Sequence, residues 1–235
     1  MTPSFPHTIC CNEHGFYCVP DEFAQKVVPG VLAKGQVYEP RTLNLLRRKA
    51  GSGDVVSGGA FVGDFFPALA SGLADGAVLW SFEPHPLSFA AAQHTIALNG
   101  LDNVRLANVA VGDSRGVLPL EIYDHARQLP AAAASRLVAK GGGEGYVDVE
   151  VTRIDDLVPA ERRVSILHLD IEGFEQKALT GAARLIRDNA PLIVLEAPTP
   201  RRAALYLDQL QAMVPEHGYV LGGALEANSF YVPTA

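Results

Sequence analysis

The amino-acid sequence predicts an α/β domain: a doubly wound, mostly parallel sheet that ends in a pair of antiparallel strands. Three observations predict it. Short apolar or β-branched runs alternate with helix-like segments from Asp54 onward, the pattern of β-α units that build a parallel sheet. Two short strand candidates close the chain with no helix between them. Hydrophobic residues make up 48% of the 235 and charged residues 19%, enough apolar material for a large core and too much for a disordered chain.

Taken in order, residues 1–50 are expected to form an N-terminal cap, a hairpin plus a helix at about 41–49, and residues 51–235 the main domain. Residues 54–59 are short and β-branched, and a helix is expected over 64–74. A second buried strand, 78–82, stops at Glu83-Pro84. The helix over 86–99 ends at Asn99-Gly100, because glycine takes the left-handed conformation of a helix C-cap at little cost. A third strand is expected over 104–111. The pattern then changes: 117–123 and 146–154 alternate like half-exposed antiparallel strands. Between them, residues 124–145 carry a glycine triplet and are long for a plain turn, so a lid-like loop is expected. Alternation resumes with a strand at 165–169, a helix at 174–187 and a strand at 191–195. Thr199-Pro200 is an N-cap followed by proline at the first helical position, opening a helix to about residue 216. Strands at 219–221 and 229–232 finish the chain.

A net charge of −7 argues against a nucleic-acid surface, which needs a concentrated basic face. No apolar run approaches the roughly 20 residues of a membrane span, and the first residues lack the basic-then-apolar pattern of a signal peptide, so a cytoplasmic protein is expected. Cys10, Cys11 and Cys18 fall near His7 and His14. Adjacent cysteines do not both reach one ion easily and the spacing matches no paired-ligand pattern, so free thiols are expected rather than zinc.

In an open α/β sheet, ligands bind beyond the carboxyl ends of the strands. The first such tip is Ser57-Gly58-Gly59-Ala60-Phe61-Val62-Gly63, where glycines let backbone approach a ligand closely. Glu83 follows about 20 residues after this turn, where a carboxylate can accept both hydroxyls of an adenosine ribose. The later tips are Asn108-Val109-Ala110, then Asp170-Ile171-Glu172-Gly173, then Glu196. Charges at sheet ends go where water, a ligand or a metal receives them, so Glu83, Asp170 and Glu196 mark a binding crevice. A nicotinamide dinucleotide and S-adenosylmethionine both suit such a crevice. The terminal strand pair and the incomplete GxGxxG favour the second.

Several segments resemble the FkbM family of S-adenosylmethionine-dependent methyltransferases: GDVVSGGAFVGDF, FEPHPLSFAAAQHTIALNGLDNVRLANVAVGD, VEVTRIDDL, HLDIEGFEQKALTGA, LIVLEAP and, more weakly, NSFYVP and YEPRT. The resemblance implies a Rossmann-like class I methyltransferase fold. It implies methionine-end contacts at Gly59, Ala60 and Gly63, ribose recognition by Glu83, adenine packing at Pro84, Asn108 and Ala110, and a reaction-side role for Asp170 and Glu172. Three positions depart from the family pattern: Ser57 stands where an Asp is usual, Phe61 where an Asn is, and His168 where a Lys is. Glu39 or Tyr38 is expected to take over the orienting role of the missing Asp.

Methyl transfer to an alcohol is an in-line displacement that needs orientation and a base for the leaving proton. Asp170 is the expected base, and Glu172 shares its proton or binds the cofactor's amine. His168, two residues before Asp170 and on the same strand face, is either catalytic or packed beneath it. No metal is expected: Asp170 and Glu196 suit magnesium but lack a third dedicated ligand. His85 borders adenine or caps a helix, and His94, His125 and His217 are expected on the surface. Glu175 and Lys177 are expected on a solvated helix face, and Asp155 and Asp156 at a helix N-terminus. Arg127, Arg136 and Lys140 give the 124–145 loop a positive character suited to an anionic substrate or to solvent. The expected partner is a small-molecule acceptor bearing a hydroxyl, such as a sugar or secondary metabolite, with no nucleic acid, no membrane, and a homodimer as an open option. An NAD-dependent oxidoreductase and a non-catalytic binding relative remain as alternatives.

Overall fold

The structure is a computed structural model and describes residues 3–124 and 128–234. The N-terminal part comprises β1 (His7–Asn12), β2 (Gly15–Pro20), α1 (Val27–Leu32) and α2 (Pro40–Lys49). There follow β3 (Asp54–Gly58), α3 (Phe66–Ala70), β4 (Leu79–Phe82), α4 (Pro86–Asn99) and β5 (Val104–Ala107). A side layer comes next: β6 (Ala110–Val111), β7 (Gly116–Glu121), β8 (Tyr123–Asp124), β9 (Leu129–Pro130), β10 (Arg136–Leu137) and β11 (Tyr146–Thr152). The chain then runs through α5 (Ile154–Leu157), β12 (Val164–Leu169), α6 (Glu175–Thr180), α7 (Ala183–Asn189), β13 (Leu192–Glu196), α8 (Pro200–Met213), β14 (Val220–Leu225) and β15 (Asn228–Val232).

The main sheet has the order β14-β15-β13-β12-β3-β4-β5. Strands β13, β12, β3, β4 and β5 are mutually parallel, and β15 lies antiparallel between β13 and β14. From β3 the chain builds outward to β4 and β5, then returns to add β12 and β13 on the other side. The order therefore reverses between β3 and β12, and a crevice opens beyond their carboxyl ends. Both faces of the central strands are covered, so those strands are mainly apolar. Val56, Leu167 and Leu195 pack with Leu179, Tyr206 and Leu210 on one face. On the other face Val55, Ile166 and Val194 pack with Leu43 and Leu46 of α2 and with Leu69. A second sheet, β10-β7-β11-β6, leans over the crevice from the β5 side.

The N-terminal part is joined to the sheet by specific hydrogen bonds. Asn99 at the end of α4 accepts from the Phe16 amide at 2.9 Å and donates to the Phe16 carbonyl at 2.7 Å. Glu226, in the β14–β15 turn, accepts from the amides of Arg41 and Thr42 and from the Thr42 hydroxyl. It thereby supplies the N-cap that the first turn of α2 lacks. Cys10, Cys11 and Cys18 are free thiols on the β1–β2 hairpin.

Three expected elements differ. The helix expected over 64–74 is only Phe66–Ala70, because residues 61–65 form turns and Gly63 has φ 76°. The strand expected over 104–111 divides: β5 pairs with β4, whereas β6 pairs with β11 in the other sheet. The helix expected over 174–187 is broken between α6 and α7, where Gly181 lies so close to the Gly112 backbone that a Cβ would collide with its carbonyl oxygen. The 124–145 loop carries β9, a short 3-10 turn at Ala132–Ala134, and β10.

Candidate active site

The crevice is a cavity of about 180 Å³ beyond β3, β4, β12 and β13. Each functional side chain sits where a strand ends. Gly59, at φ 84°, turns the chain away from β3 so tightly against β12 that a Cβ would strike the Asp170 carbonyl oxygen. Only glycine serves there. The turn continues through Phe61, a non-glycine residue at φ 45°. Holding phenylalanine in this region costs about 1–2 kcal/mol. Two contacts offset it. The Phe61 amide donates to Glu83 at 2.7 Å, and its ring packs 5.5 Å from that of Phe23 in the N-terminal part. Non-glycine residues with positive φ among the described residues number seven, and four of them (Glu39, Phe61, Ala132, Glu172) line this cavity. Backbone strain is concentrated where a site is expected.

Glu83 is buried, and its two oxygens accept from the Phe61 amide at 2.7 Å and the His85 amide at 2.9 Å. His85 does not reach the cavity lining: its Nδ1 accepts from the amides of Leu87 and Ser88 and caps α4. Asn108 also lies outside the lining and donates to the carbonyls of Glu83 and Pro84, bracing that tip from behind. Gly63 shapes the turn without lining the cavity. Gly59, Ala60, Glu83, Pro84, Ala110, His168, Asp170 and Glu172 all line it.

Six carboxylates face this space: Glu39, Asp64, Glu83, Asp170, Glu172 and Glu196. No lysine or arginine does so among the described residues. Their acidities respond accordingly. Burial pushes Asp64 and Glu83 up to about 7. Glu172, at the rim, also rises to about 7, through desolvation first and then repulsion from Glu196 and Glu175. Asp170 is raised well above the ordinary carboxylate range by burial and then by Glu196, Glu172 and Glu39. Glu39 and Glu196 are raised too, again mainly by burial. Such a set favours a ligand that brings positive charge. No group of three or more His, Cys, Asp or Glu side chains among the described residues is arranged to hold a metal ion.

His168 forms part of the floor. It accepts from or donates to the Ser57 hydroxyl through Nδ1 at 2.9 Å and stacks on Phe65 at 5.7 Å. Burial lowers its pKa to about 4, so the ring is neutral at pH 7. Two residues were not legible as site members. Asp64 stands next to the glycine turn and is expected to open a helix, yet the extended turn carries it into the cavity. Phe65 enters with it. An acid directly after Gly63 with no basic neighbour was the available signal.

Glu175 corrects an expectation. It is fully buried, accepts from the Ile171 and Gly173 amides at 3.2 and 3.1 Å, and accepts from the Tyr206 hydroxyl at 2.9 Å. It holds the Asp170–Gly173 turn from below and faces no solvent. Lys177 does lie outside, over the Phe174 ring. Asp156 pairs with Arg115 and Arg153, and Asp155 caps α7 through the Arg184 and Leu185 amides. Arg136 pairs with Glu121 at 2.8 Å, so its charge is already engaged. His125 and Arg127 lie outside the described residues.

Residues 57–221 match the model of the Methyltransferase FkbM domain, well over half of the chain. The chain belongs to the FkbM methyltransferase family. A curated relative, "Methyltransferase 1" from Beauveria bassiana (strain ARSEF 2860), is 28% identical over 117 residues, which is 43% of this FkbM chain and 47% of the relative. The match thus spans about half the length of that relative. Among solved structures, Methyltransferase FkbM from Methylobacillus flagellatus KT superposes with a TM-score of 0.53 at 17% identity, covering 77% of this chain and 43% of that one. The Pyrococcus abyssi tRNA (uracil-54, C5)-methyltransferase in complex with S-adenosyl-L-homocysteine gives 0.51 at 11% identity, covering 97% and 43%. At these identities the two structures speak for the fold, and the fold is that of class I methyltransferases. The chain thus carries that family's methyltransferase domain. No helix among its described residues is long and apolar enough to cross a membrane.

Proposed function

We propose that this FkbM-family enzyme methylates a hydroxyl of an uncharged small molecule, using S-adenosylmethionine held in the carboxylate-lined cavity. The observation that carries the reading is the cavity's six acids with no lysine or arginine beside them among the described residues. When bound, the cofactor supplies a methyl group on a positively charged sulfur, and it also carries an ammonium group. Both charges suit these walls. NAD would bring a diphosphate to the same acids with no cation to receive it.

Glu83 is the ribose ligand in this reading. Each of its oxygens already accepts one backbone N–H and keeps a lone pair for one hydroxyl. Pro84 and Ala110 wall the adenine, with Asn108 bracing them, while Gly59 and Ala60 admit the methionine end. Asp64 and Glu39 receive the ammonium group. Glu39 is steered there by Asn228 of β15, which donates to it at 2.7 Å. Asp64 and Glu39 together take the orienting role that Ser57 cannot perform. Tyr38, Glu39 and Val28 bring the N-terminal part over the cavity as a cap, and Ala132, Ala133, Ser135 and Leu137 bring the 124–145 strap.

Asp170 takes the acceptor's proton. Its raised pKa makes it a strong base for a carboxylate, and a cation bound beside it favours the ionised form that can accept. Glu172 and Glu196 at the rim disfavour phosphorylated or nucleic-acid acceptors and leave neutral polyols acceptable.

The test is a calorimetric titration of the purified chain with S-adenosylhomocysteine and with NAD, followed by transfer of labelled methyl to hydroxylated and phosphorylated acceptors. Binding of the homocysteine product, with label moving only to neutral hydroxyl compounds, is expected. Binding of NAD alone, or label moving only to polyanions, would overturn the reading.

A further inference from the structure

The two backbone amides that hold Glu83 belong to residues whose rings pack on one side chain outside the cavity. That side chain is Phe23, in the short 3-10 turn Asp21–Phe23 that follows β2. Its ring lies 5.5 Å from the Phe61 ring and 5.6 Å, edge to face, from the His85 ring. The Phe61 amide donates to one Glu83 oxygen at 2.7 Å, and the His85 amide donates to the other at 2.9 Å. Phe23 is fully buried but does not line the cavity, and it stands outside the 57–221 segment that matches the family model.

The N-terminal part holds this ring in place. Asp21 anchors the turn: its amide donates to the Pro6 carbonyl at 3.0 Å, and its carboxylate accepts from the Thr8 hydroxyl at 3.0 Å. Phe23 then joins one apolar cluster with Tyr17, Val19 and Leu32 of the N-terminal part and with Phe61, Val62 and Ala91 of the main domain. Phe61 needs such a neighbour. At φ 45° a non-glycine residue keeps its backbone only where the surroundings over-determine it, and relaxation would turn its N–H away from Glu83. His85 is held twice, by Phe23 against its ring and by the Leu87 and Ser88 amides at its Nδ1, so it depends on Phe23 less.

We infer that Phe23 is a positioning residue for recognition of the cofactor's ribose. It fixes Phe61 and His85, their amides fix the two oxygens of Glu83, and each oxygen then offers its remaining lone pair to one hydroxyl. A carboxylate gripped from behind loses little freedom when the ligand arrives, so the grip is realised as affinity. The N-terminal part thus builds the ribose subsite as well as covering the cavity. The inference rests on the cofactor reading above.

The experiment compares S-adenosylhomocysteine with its 2′,3′-dideoxy analogue, which lacks both ribose hydroxyls, by calorimetry on the full chain. The wild type is expected to prefer the hydroxylated ligand by about 100-fold, the range of two hydrogen bonds to a charged group. Phe23→Leu keeps apolar bulk but not the flat ring. It should weaken S-adenosylhomocysteine about 10-fold and change the dideoxy analogue by less than about twofold. A merely structural role would lower both affinities alike. Amide hydrogen exchange on the wild type gives a second measure that needs no variant to fold. Coupling between sites is reciprocal, so a ligand that engages Glu83 should in turn hold the N-terminal part down. At equal saturation, S-adenosylhomocysteine should slow exchange of the hydrogen-bonded β2 amides more than the analogue does. An equal fall for both ligands in Phe23→Leu, or equal slowing by both in the wild type, overturns the inference and leaves the cofactor reading standing. Equal wild-type affinity for the two ligands removes Glu83 from the ribose and the inference with it. Failure of the wild type to bind either ligand overturns the cofactor reading itself.

Discussion

The two ends of the main sheet treat carboxylates in opposite ways. At the amino end, Asp54 is buried and fully answered. Arg162 meets it with two nitrogens at 2.5 and 2.7 Å, the Trp80 indole donates at 2.8 Å, and the Val78 amide at 2.9 Å. At the carboxyl end, Asp170, Glu196, Glu39 and Asp64 gather with no lysine or arginine on the wall among the described residues. Acids of one kind are thus structural at one end and, in the proposed reading, reserved for a ligand at the other. A cationic partner, not burial, separates the two: Glu39 and Glu83 accept hydrogen bonds from Asn228 and from two amides, yet no described lysine or arginine meets them. Glu175 lies behind the carboxyl-end acids and outside the cavity lining: it is fully buried, two amides and a tyrosine hydroxyl satisfy it, and it holds a turn.

Substitutions at each end should therefore fail in different measurements. The largest effect is expected at Asp170→Asn: about 100- to 1,000-fold lower kcat, in the range of a lost general base, with cofactor affinity changed much less. Single-turnover methyl transfer beside calorimetry checks this, and an equal loss in both would move Asp170 from the reaction to the binding side. Asp54→Ala should do the reverse. It strands Arg162 and should cost about 3 kcal/mol of stability in urea unfolding, while the folded fraction binds cofactor normally. Loss of binding without loss of stability would break the comparison.

Glu83→Ala lies between them. Losing two ribose acceptors should weaken cofactor binding about 100-fold, and the stranded amides of Phe61 and His85 should lower stability by about 1–2 kcal/mol. Acidity offers a gentler probe. Asp64, Glu83 and Glu172 sit near 7 when folded, above their unfolded values near 4, and Asp170 is raised well above its own. The folded state thus holds more protons between those values, and its stability falls as pH rises through them. His85 and His168, both near 4 when folded, act oppositely but only below their unfolded pKa of about 6.5. Between pH 6.5 and 7.5 the acids outweigh the histidines, and the stability of the ligand-free protein should drop. Thermal melts at matched ionic strength should show it, and a flat profile would mean that the acids are already partnered. The smallest change is expected at the exposed Arg136, whose replacement by alanine should leave the melting temperature and cofactor affinity unchanged.

Much of the candidate site's lining was legible because strand tips are legible. A β-branched run that stops at glycine, at Glu-Pro or at Asp-x-Glu announces its end, and topology sends those ends to one crevice. Asp64 was hidden because an acid ahead of an apolar run looks like a helix start, and only Gly63 and the packing of Phe61 on Phe23 prolong the turn past it. Glu175 was hidden for the opposite reason. Its helix is amphipathic by spacing alone, but Tyr206 of α8 comes from 31 residues away to cover it.

The sequence by itself determined the alternation of strands and helices, the acids at the strand tips and the antiparallel close of the sheet. These follow from local periodicity and chain order, which a one-dimensional record carries in full. Tertiary structure decided which acids were answered. Asp54 found Arg162 across 108 positions, whereas Asp170 found other carboxylates. It also decided that Phe61 would adopt a left-handed backbone and that His168 would keep one nitrogen free. Such outcomes depend on which distant groups share a small volume from which water is displaced, and there a missing partner costs most.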